Sequence, residues 1–133
     1  MKNLFQTIIL LFTLTVISCK KTHDINNSQN LALLQHKWSL VVRHGEALRY
    51  VGQPDDYYNF STDNILYRHV NNTYDTGYYT LLADRNNFLF YPVVNGITSD
   101  TAATYSINNI SDSQLVISSS TGPSQSFTDS LKR

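Results

Sequence analysis

The sequence of 133 residues contains one cysteine, so no disulfide bond can form within a single chain. Charge is also sparse: 15% of the residues are Asp, Glu, Lys or Arg, and the two signs cancel. A near-neutral chain has no electrostatic reason to bind nucleic acid, and we expect no such partner. Ala, Glu and Lys are scarce, whereas Tyr and Phe number nine and six. This composition favours strands over helices, so stability has to come from packing and from the hydrogen bonds of a sheet.

One long apolar run is present, at residues 4–17 directly after the N-terminal segment that contains Lys2. At about 1.5 Å per residue, such a run is too short to cross a hydrocarbon core of about 30 Å as a helix. It has the length of the apolar core of a signal peptide, and the small residue Ser18 precedes Cys19 where the run ends. We therefore predict a signal peptide at residues 1–18.

The end of this run, Val16-Ile17-Ser18-Cys19, resembles the lipobox of bacterial lipoproteins. The resemblance implies that Cys19 receives a diacylglycerol thioether, that the chain is cut before it, and that its new amine is acylated. Each buried CH₂ of an acyl chain contributes about 0.8 kcal/mol, so three chains would hold the protein on a membrane. An ordinary secretion signal with an incidental cysteine is the alternative.

Residues 19–29 are polar and lack an apolar period, so we expect a flexible linker between the lipid and the domain. Lys20 and Lys21 would face anionic headgroups. Some lipoproteins carry an acidic cluster here that directs them to the cell surface, whereas this linker contains only Asp24. We therefore expect a lipid-anchored cell-envelope protein, held at the outer membrane and facing the periplasm.

The remaining chain, residues 30–133, is predicted to form one all-β domain that begins with a short helix at residues 30–35. Because the loops between consecutive strands are short, neighbouring strands should be antiparallel, and eight of them can close on themselves and remove the sheet edges. An eight-stranded antiparallel up-and-down barrel is the leading prediction, and an open sandwich is the alternative. A bulge is expected at residues 108–109, where Ile110 breaks the alternation. The predicted strands are residues 37–43, 57–60, 65–70, 78–82, 88–91, 101–110, 115–119 and 125–133.

Two hairpin registers follow from the turn residues. A two-residue turn at residues 63–64 would pair Phe60 with Tyr67 and place both on one face. A four-residue turn at residues 84–87 would place Leu81 beside Phe90. The stretches 44–55 and 92–100 contain Gly and Pro and are expected to be irregular loops.

Several segments together resemble lipocalin-like domains, and they cover about residues 30 to 133. The resemblance implies an eight-stranded up-and-down barrel with a closed base and an open cup, as in lipocalin-like lipoproteins of Gram-negative bacteria. The matching segments are a short helix followed by Trp38 on the first strand (34–40), Gly before a Tyr-bearing strand (75–79), a closing hairpin (105–107 with 115–117), and a terminal basic pair (132–133).

In such barrels the first and last strands are neighbours, which gives Trp38 and Arg133 a structural role at the barrel base. A guanidinium over an indole contributes about 0.5 to 2 kcal/mol through cation–π attraction. The alternative is a frayed C-terminus in which Arg133 is solvated.

Eight aromatic residues are candidates for the barrel interior and for a ligand site within it. A barrel of eight strands holds either packed side chains or one small ligand, so a filled core and a cup for an apolar molecule both stay open. The candidates are Tyr58, Phe60, Tyr67, Tyr79, Phe88, Phe90, Tyr105 and Phe127.

The sequence offers little catalytic chemistry. His44 and Glu46 are the one close pair of histidine and carboxylate, but a metal site needs three or four converging ligands, and a surface loop is the favoured interpretation. We predict no enzyme activity, no metal and no cofactor. The leading hypothesis is an envelope protein that binds a small apolar ligand. The alternative is a non-catalytic interaction or inhibitor-like module with a filled core, whose loops 44–55 and 92–100 contact another envelope protein.

Overall fold

The structure is a computed structural model and describes residues 30–84, 86–120 and 126–133. The predicted signal peptide, Cys19 and the linker lie outside the described residues. The described residues form a short helix at 30–34 and ten strands. The strands are β1 (Lys37–Gly45), β2 (Arg49–Val51), β3 (Tyr57–Phe60), β4 (Ile65–Val70), β5 (Thr73–Leu81), β6 (Asn87–Val94), β7 (Ile97–Thr98), β8 (Ala103–Ile110), β9 (Gln114–Ser120) and β10 (Ser126–Lys132).

Eight of these strands form a closed antiparallel barrel. Its order is β1, β3, β4, β5, β6, β8, β9 and β10, and β10 pairs back with β1 to close the ring. The two short strands extend the wall at one end, because β2 pairs with β1 and β7 pairs with β6. The prediction of an eight-stranded antiparallel barrel is confirmed. The barrel end beyond these two hairpins, opposite the helix, is called the rim below.

A bulge in β1 decides which side chains enter the barrel. Trp38 and Leu40 point inward and are buried, as alternation predicts. The pairing with β10 shifts between Leu40 and Val42, so the inward position passes from Val42 to Arg43. The predicted bulge at residues 108–109 is confirmed by a second shift, which lies between Ile107 and Asn109 in the pairing of β8 with β9. Both bulges bend the sheet where it has to curve into a closed wall.

The helix closes the base of the barrel. Leu34 is fully buried, and its carbonyl accepts a hydrogen bond of 3.0 Å from the Trp38 indole N–H. The Phe60 amide donates to the His36 carbonyl at 3.1 Å and ties the helix end to β3. The guanidinium carbon of Arg133 lies 5.2 Å from the centroid of the Trp38 ring, within the range of a cation–π contact.

The predicted register of the β3–β4 hairpin was wrong by one residue. Ser61 donates to the Ile65 carbonyl at 2.9 Å, so three residues form the loop, and Asn64 has a φ of 60°. In hairpin loops of three residues, the third residue typically adopts a left-handed conformation, as Asn64 does here. Since a one-residue shift moves every side chain to the other face, Tyr67 pairs with Asn59 and is 43% exposed outside the barrel. The assignment of Tyr67 to the interior was therefore wrong.

The predicted register of the β5–β6 hairpin was wrong by two residues. Leu81 pairs with Phe88, because the turn begins one residue earlier than expected. The Asp84 carboxylate accepts hydrogen bonds from the Asn86 and Asn87 amides, both at 3.1 Å, and fixes this turn. A two-residue shift keeps each side chain on its face, so Leu81 stays on the predicted side.

Two tight turns, at residues 71–72 and 95–96, were missed because left-handed residues were not expected there. Asn71 and Asn72 both have positive φ and join β4 directly to β5, which begins at Thr73 rather than Tyr78. Asn95 and Gly96 do the same between β6 and β7. Two consecutive residues with positive φ define the type I′ hairpin turn, so the stretch expected to be an irregular loop is a hairpin.

Replacing Trp38 with alanine tests the barrel base. Truncating a fully buried tryptophan typically costs about 3 to 5 kcal/mol, of a total stability of about 5 to 15 kcal/mol for a domain. We expect a sharp fall in melting temperature by circular dichroism, and a blue-shifted emission from the wild-type indole. Tyr67→Ala, at an exposed wall position, is the control. Emission like that of free tryptophan, with an unchanged melting temperature in Trp38→Ala, would contradict the burial.

Candidate functional site

The barrel interior is filled by aromatic rings that pack against each other. Phe88 stacks on Tyr105 with ring centroids 4.9 Å apart, and Phe60 meets Tyr79 at 5.2 Å and Phe88 at 5.5 Å, edge to face. These are the favoured geometries of aromatic pairs. Six of the eight candidates lie in this buried core, namely Tyr58, Phe60, Tyr79, Phe88, Phe90 and Tyr105. Phe127 is half-buried above it, 6.1 Å from Tyr105.

A buried ion pair lies above the aromatic core on the side where β1 meets β10. Arg43 and Asp129 are direct cross-strand neighbours, and the guanidinium donates to both carboxylate oxygens at 2.7 Å. Asp129 is fully buried and also accepts from the Tyr58 hydroxyl at 2.5 Å. The Arg43 guanidinium lies 4.2 Å from the centroid of the Phe127 ring, so the ring covers the flat face of the guanidinium.

A second ion pair lies on β4 and β5. Arg68 and Asp75 are again cross-strand neighbours, with Nη2 and Oδ2 at 2.5 Å. Arg68 Nη1 donates to the Tyr105 hydroxyl at 2.6 Å, and its guanidinium lies 5.6 Å from the centroid of the Phe90 ring. Arg43 and Arg68 thus form, with their carboxylates, a polar layer between the aromatic core and the rim. Its two positive and two negative charges cancel.

The electrostatics of this layer keep its two guanidinium groups charged. Burial alone would lower the pKa of Arg43, but the hydrogen bond to Asp129 and the nearby charges raise it above its ordinary value. The pKa of Arg68 is raised in the same way, against the effect of burial, by Tyr58, Tyr105 and Asp75. Burial, and then the Asp129 charge, raises the pKa of Tyr58, so its hydroxyl stays a neutral donor. The two guanidinium groups of the layer therefore stay charged, and the Tyr58 hydroxyl between them stays neutral.

The rim carries the most exposed large apolar side chains of the described residues. They belong to three hairpins, β1–β2, β4–β5 and β6–β7. The turns at the base, by contrast, consist mainly of Ser, Thr, Asp and Asn. The exposed fractions are 81% for Leu48, 74% for Tyr74, 73% for Ile97, 62% for Val94 and 57% for Val51.

The predicted pair of His44 and Glu46 is exposed at the rim. Glu46 accepts a hydrogen bond from Ser126 at 3.0 Å, and His44 lies opposite Thr128 on β10. Within residues 30–84, 86–120 and 126–133, no group of three or more His, Cys, Asp or Glu side chains is placed to hold a metal ion. A groove of about 560 Å³ at the rim adjoins the pair, and hydroxyl side chains supply most of its lining.

No family model matches the chain, and neither a curated protein nor a solved structure matches it. The class of the protein is therefore defined by its fold, a closed eight-stranded antiparallel barrel with a short helix at its base. In the part of the chain that the structure describes, no helix is long and apolar enough to cross a membrane.

Sequence reasoning missed the four charged residues of the polar layer. The signal was present in part, because Asp129 alternates with Phe127 and Leu131 on a face assigned to the interior. A charged residue on such a face needs a buried partner. The partner, Arg43, was not identifiable, because the bulge in β1 had not been anticipated.

Asp129→Ala tests the polar layer. Removing one member of a buried ion pair typically costs about 3 to 5 kcal/mol, because the other charge is left unpaired. We expect a loss of this size in the free energy of unfolding from urea denaturation. Asp112→Ala is the matched control, since Asp112 is exposed and 3.9 Å from Arg133, where a surface pair is worth at most about 1 kcal/mol. Equal stabilities of the two variants would contradict the role of Asp129.

Proposed function

We propose that this protein is a lipid-anchored cell-envelope protein whose barrel is a non-catalytic protein-interaction module. The proposed anchor is Cys19, supported by the lipobox-like residues that precede it. The proposed contact surface is the rim. The observation that carries the proposal is the concentration of exposed apolar side chains on the three rim hairpins, above an interior that is already filled.

The filled interior favours this function over the binding of a small apolar ligand. A ligand in the barrel would have to separate rings that stack at 4.9 Å, such as Phe88 and Tyr105. It would also have to pass the ion pairs of Arg43 and Arg68, and separating Arg43 from Asp129 would leave a fully buried carboxylate without its cation. A barrel of this size has room for its own side chains or for a ligand, and here the side chains occupy it.

The rim has the character of an interaction surface. Single exposed apolar residues are normal on any protein, but several of them at one end of a domain favour contact with a partner. The β1–β2 and β6–β7 hairpins stand on opposite sides of the barrel ring, so Leu48 and Ile97 flank the barrel mouth. The chain enters the domain at the base, so an anchor at Cys19 leaves the rim accessible to a protein in the envelope.

Site-specific photo-crosslinking in cells tests the contact surface. A photoreactive amino acid placed at Leu48 or Ile97 of the full chain should give a crosslinked product of the same defined mass from both positions. Thr80, exposed on the barrel wall, is the matched control and should give none. Absence of a product at both rim positions, or an equal product at Thr80, would contradict the proposal. A small molecule that co-purifies with the full chain in native mass spectrometry would instead favour the ligand-binding hypothesis.

Cys19→Ser tests the anchor. Without the thiol no thioether can form, so the variant should leave the membrane fraction or accumulate with its signal peptide uncut. Fractionation and the mass of the purified chain report the two outcomes. A variant that stays in the membrane fraction at the mature mass would show that Cys19 is not the anchor.

A further inference from the structure

Asp56 lies at the junction of three rim segments. It is almost completely buried, at the start of β3. Its Oδ2 accepts hydrogen bonds from the Tyr50 hydroxyl at 2.5 Å and from the Gln53 amide at 2.7 Å, and its Oδ1 accepts from the Asn71 amide at 2.9 Å. One carboxylate therefore joins β2, the loop after β2, and the turn between β4 and β5.

These three bonds require a carboxylate rather than a polar group of the same shape. All three partners are donors, and an ionised carboxylate has only acceptor sites. An asparagine in the place of Asp56 would turn its NH₂ group toward at least one N–H or O–H donor and leave that donor unpaired. Hydrogen bonds to a charged acceptor are also stronger than those between neutral groups.

The segment that Asp56 holds has few other attachments. Residues 46–55, called the flap here, contain β2, which makes three residue pairs with β1. The Gly52 amide adds a bond of 3.0 Å to the Val41 carbonyl. Leu48 and Val51 are exposed, and Tyr50 is the half-buried flap residue that packs on the core. Two side-chain hydrogen bonds hold the ends of the flap, because Ser126 donates to Glu46 at 3.0 Å and His69 Nδ1 lies 2.7 Å from the Asp55 carbonyl. Among the described residues, only the carboxylate of Asp56 joins the middle of the flap, at Tyr50 and Gln53, to the β4–β5 turn through side-chain hydrogen bonds.

We infer that the Asp56 carboxylate is a latch that holds the flap against the β4–β5 hairpin, and that the flap opens as a separate unit of the rim when this carboxylate is lost. Segments with few buried contacts open locally at a lower free energy than the whole domain. The barrel wall below is held by the backbone bond from Leu40 to the Asp56 carbonyl at 2.9 Å, which does not depend on the side chain.

The charges around Asp56 keep the latch closed at neutral pH. Burial would raise the pKa of Asp56, but the bonds from Gln53, Tyr50 and Asn71, together with the nearby His69, lower it below its ordinary value. A lowered folded-state pKa means that the stabilisation is present above the unfolded value of about 3.9 and is lost as the pH falls through the folded value.

The groups that face the latch come from four strands. Tyr50 belongs to β2, and the hydrogen bond to Asp56 raises the pKa of its hydroxyl. The positive charge of Arg43 on β1 has the opposite effect and lowers the pKa of Tyr50. His69 of β4 lies with Nδ1 2.7 Å from the Asp55 carbonyl, and its ring stacks on Tyr74 of β5 at 4.0 Å.

Asp56→Asn in the full chain, studied by hydrogen exchange and mass spectrometry at neutral pH in detergent micelles, tests the latch. We expect exchange in residues 46–55 and 71–74 to become at least about tenfold faster, because at least one of the three hydrogen bonds is lost and the others no longer have a charged acceptor. Exchange in β8 and β9 should not change. Asp55→Asn is the matched control, because the side chain of this adjacent carboxylate is exposed and only its carbonyl contacts His69.

Two results would overturn the latch. One is unchanged exchange of the flap in Asp56→Asn, and the other is faster exchange throughout the barrel, which would make Asp56 a support of the whole fold. If Asp56→Asn does not fold, Tyr50→Phe removes one bond to the latch and leaves the carboxylate in place. Faster exchange confined to the flap in that variant would support the latch, and any other pattern would overturn it.

Discussion

The pairing of β1 with β10 is the contact on which the rest of the structure depends. It turns a sheet of consecutive hairpins into a closed wall and removes both edges at once. Arg43 and Asp129 face each other across this seam inside the barrel. Arg133 covers Trp38 at its lower end. The seam thus places the Arg43–Asp129 half of the polar layer above the core. Arg133, the residue after β10, lies over Trp38 beside the helix that closes the base.

Much of the fold could be predicted because alternation along a strand is a local property. The spacing of Trp38 and Leu40 alone places both inside, and Ile110 reveals a bulge by breaking the alternation. The registers of the hairpins were harder to predict, because each depends on the length of its turn. Asn64 in a left-handed conformation makes a three-residue loop where two residues were expected, and this one residue moved Tyr67 to the outside.

The candidate site was predicted only in part, because its charged residues act through pairs that form across strands. Arg68 meets Asp75 only once the β4–β5 turn is known to contain two asparagines. Arg43 meets Asp129 only once the bulge in β1 is known. Aromatic residues, in contrast, indicate a core by their number alone, and most of the eight candidate residues lie in that core. Composition does not say whether rings fill a space or line it, and this is decided by distances between side chains.

The seam, which is the pairing of β1 with β10, also affects how the chain folds. Arg43 and Asp129 are 86 residues apart, so the contact that closes the barrel has a large loop-closure cost and cannot form locally. A contact between residues so distant in the chain slows folding, because its loop-closure cost is paid before the contact forms. Until the seam forms, β1 and β10 present open edges with apolar side chains beside them, and a chain in this state is prone to pair with another. The pairing of β1 with β10 protects the folded barrel. Before it forms, however, the partly folded chain is most prone to aggregate.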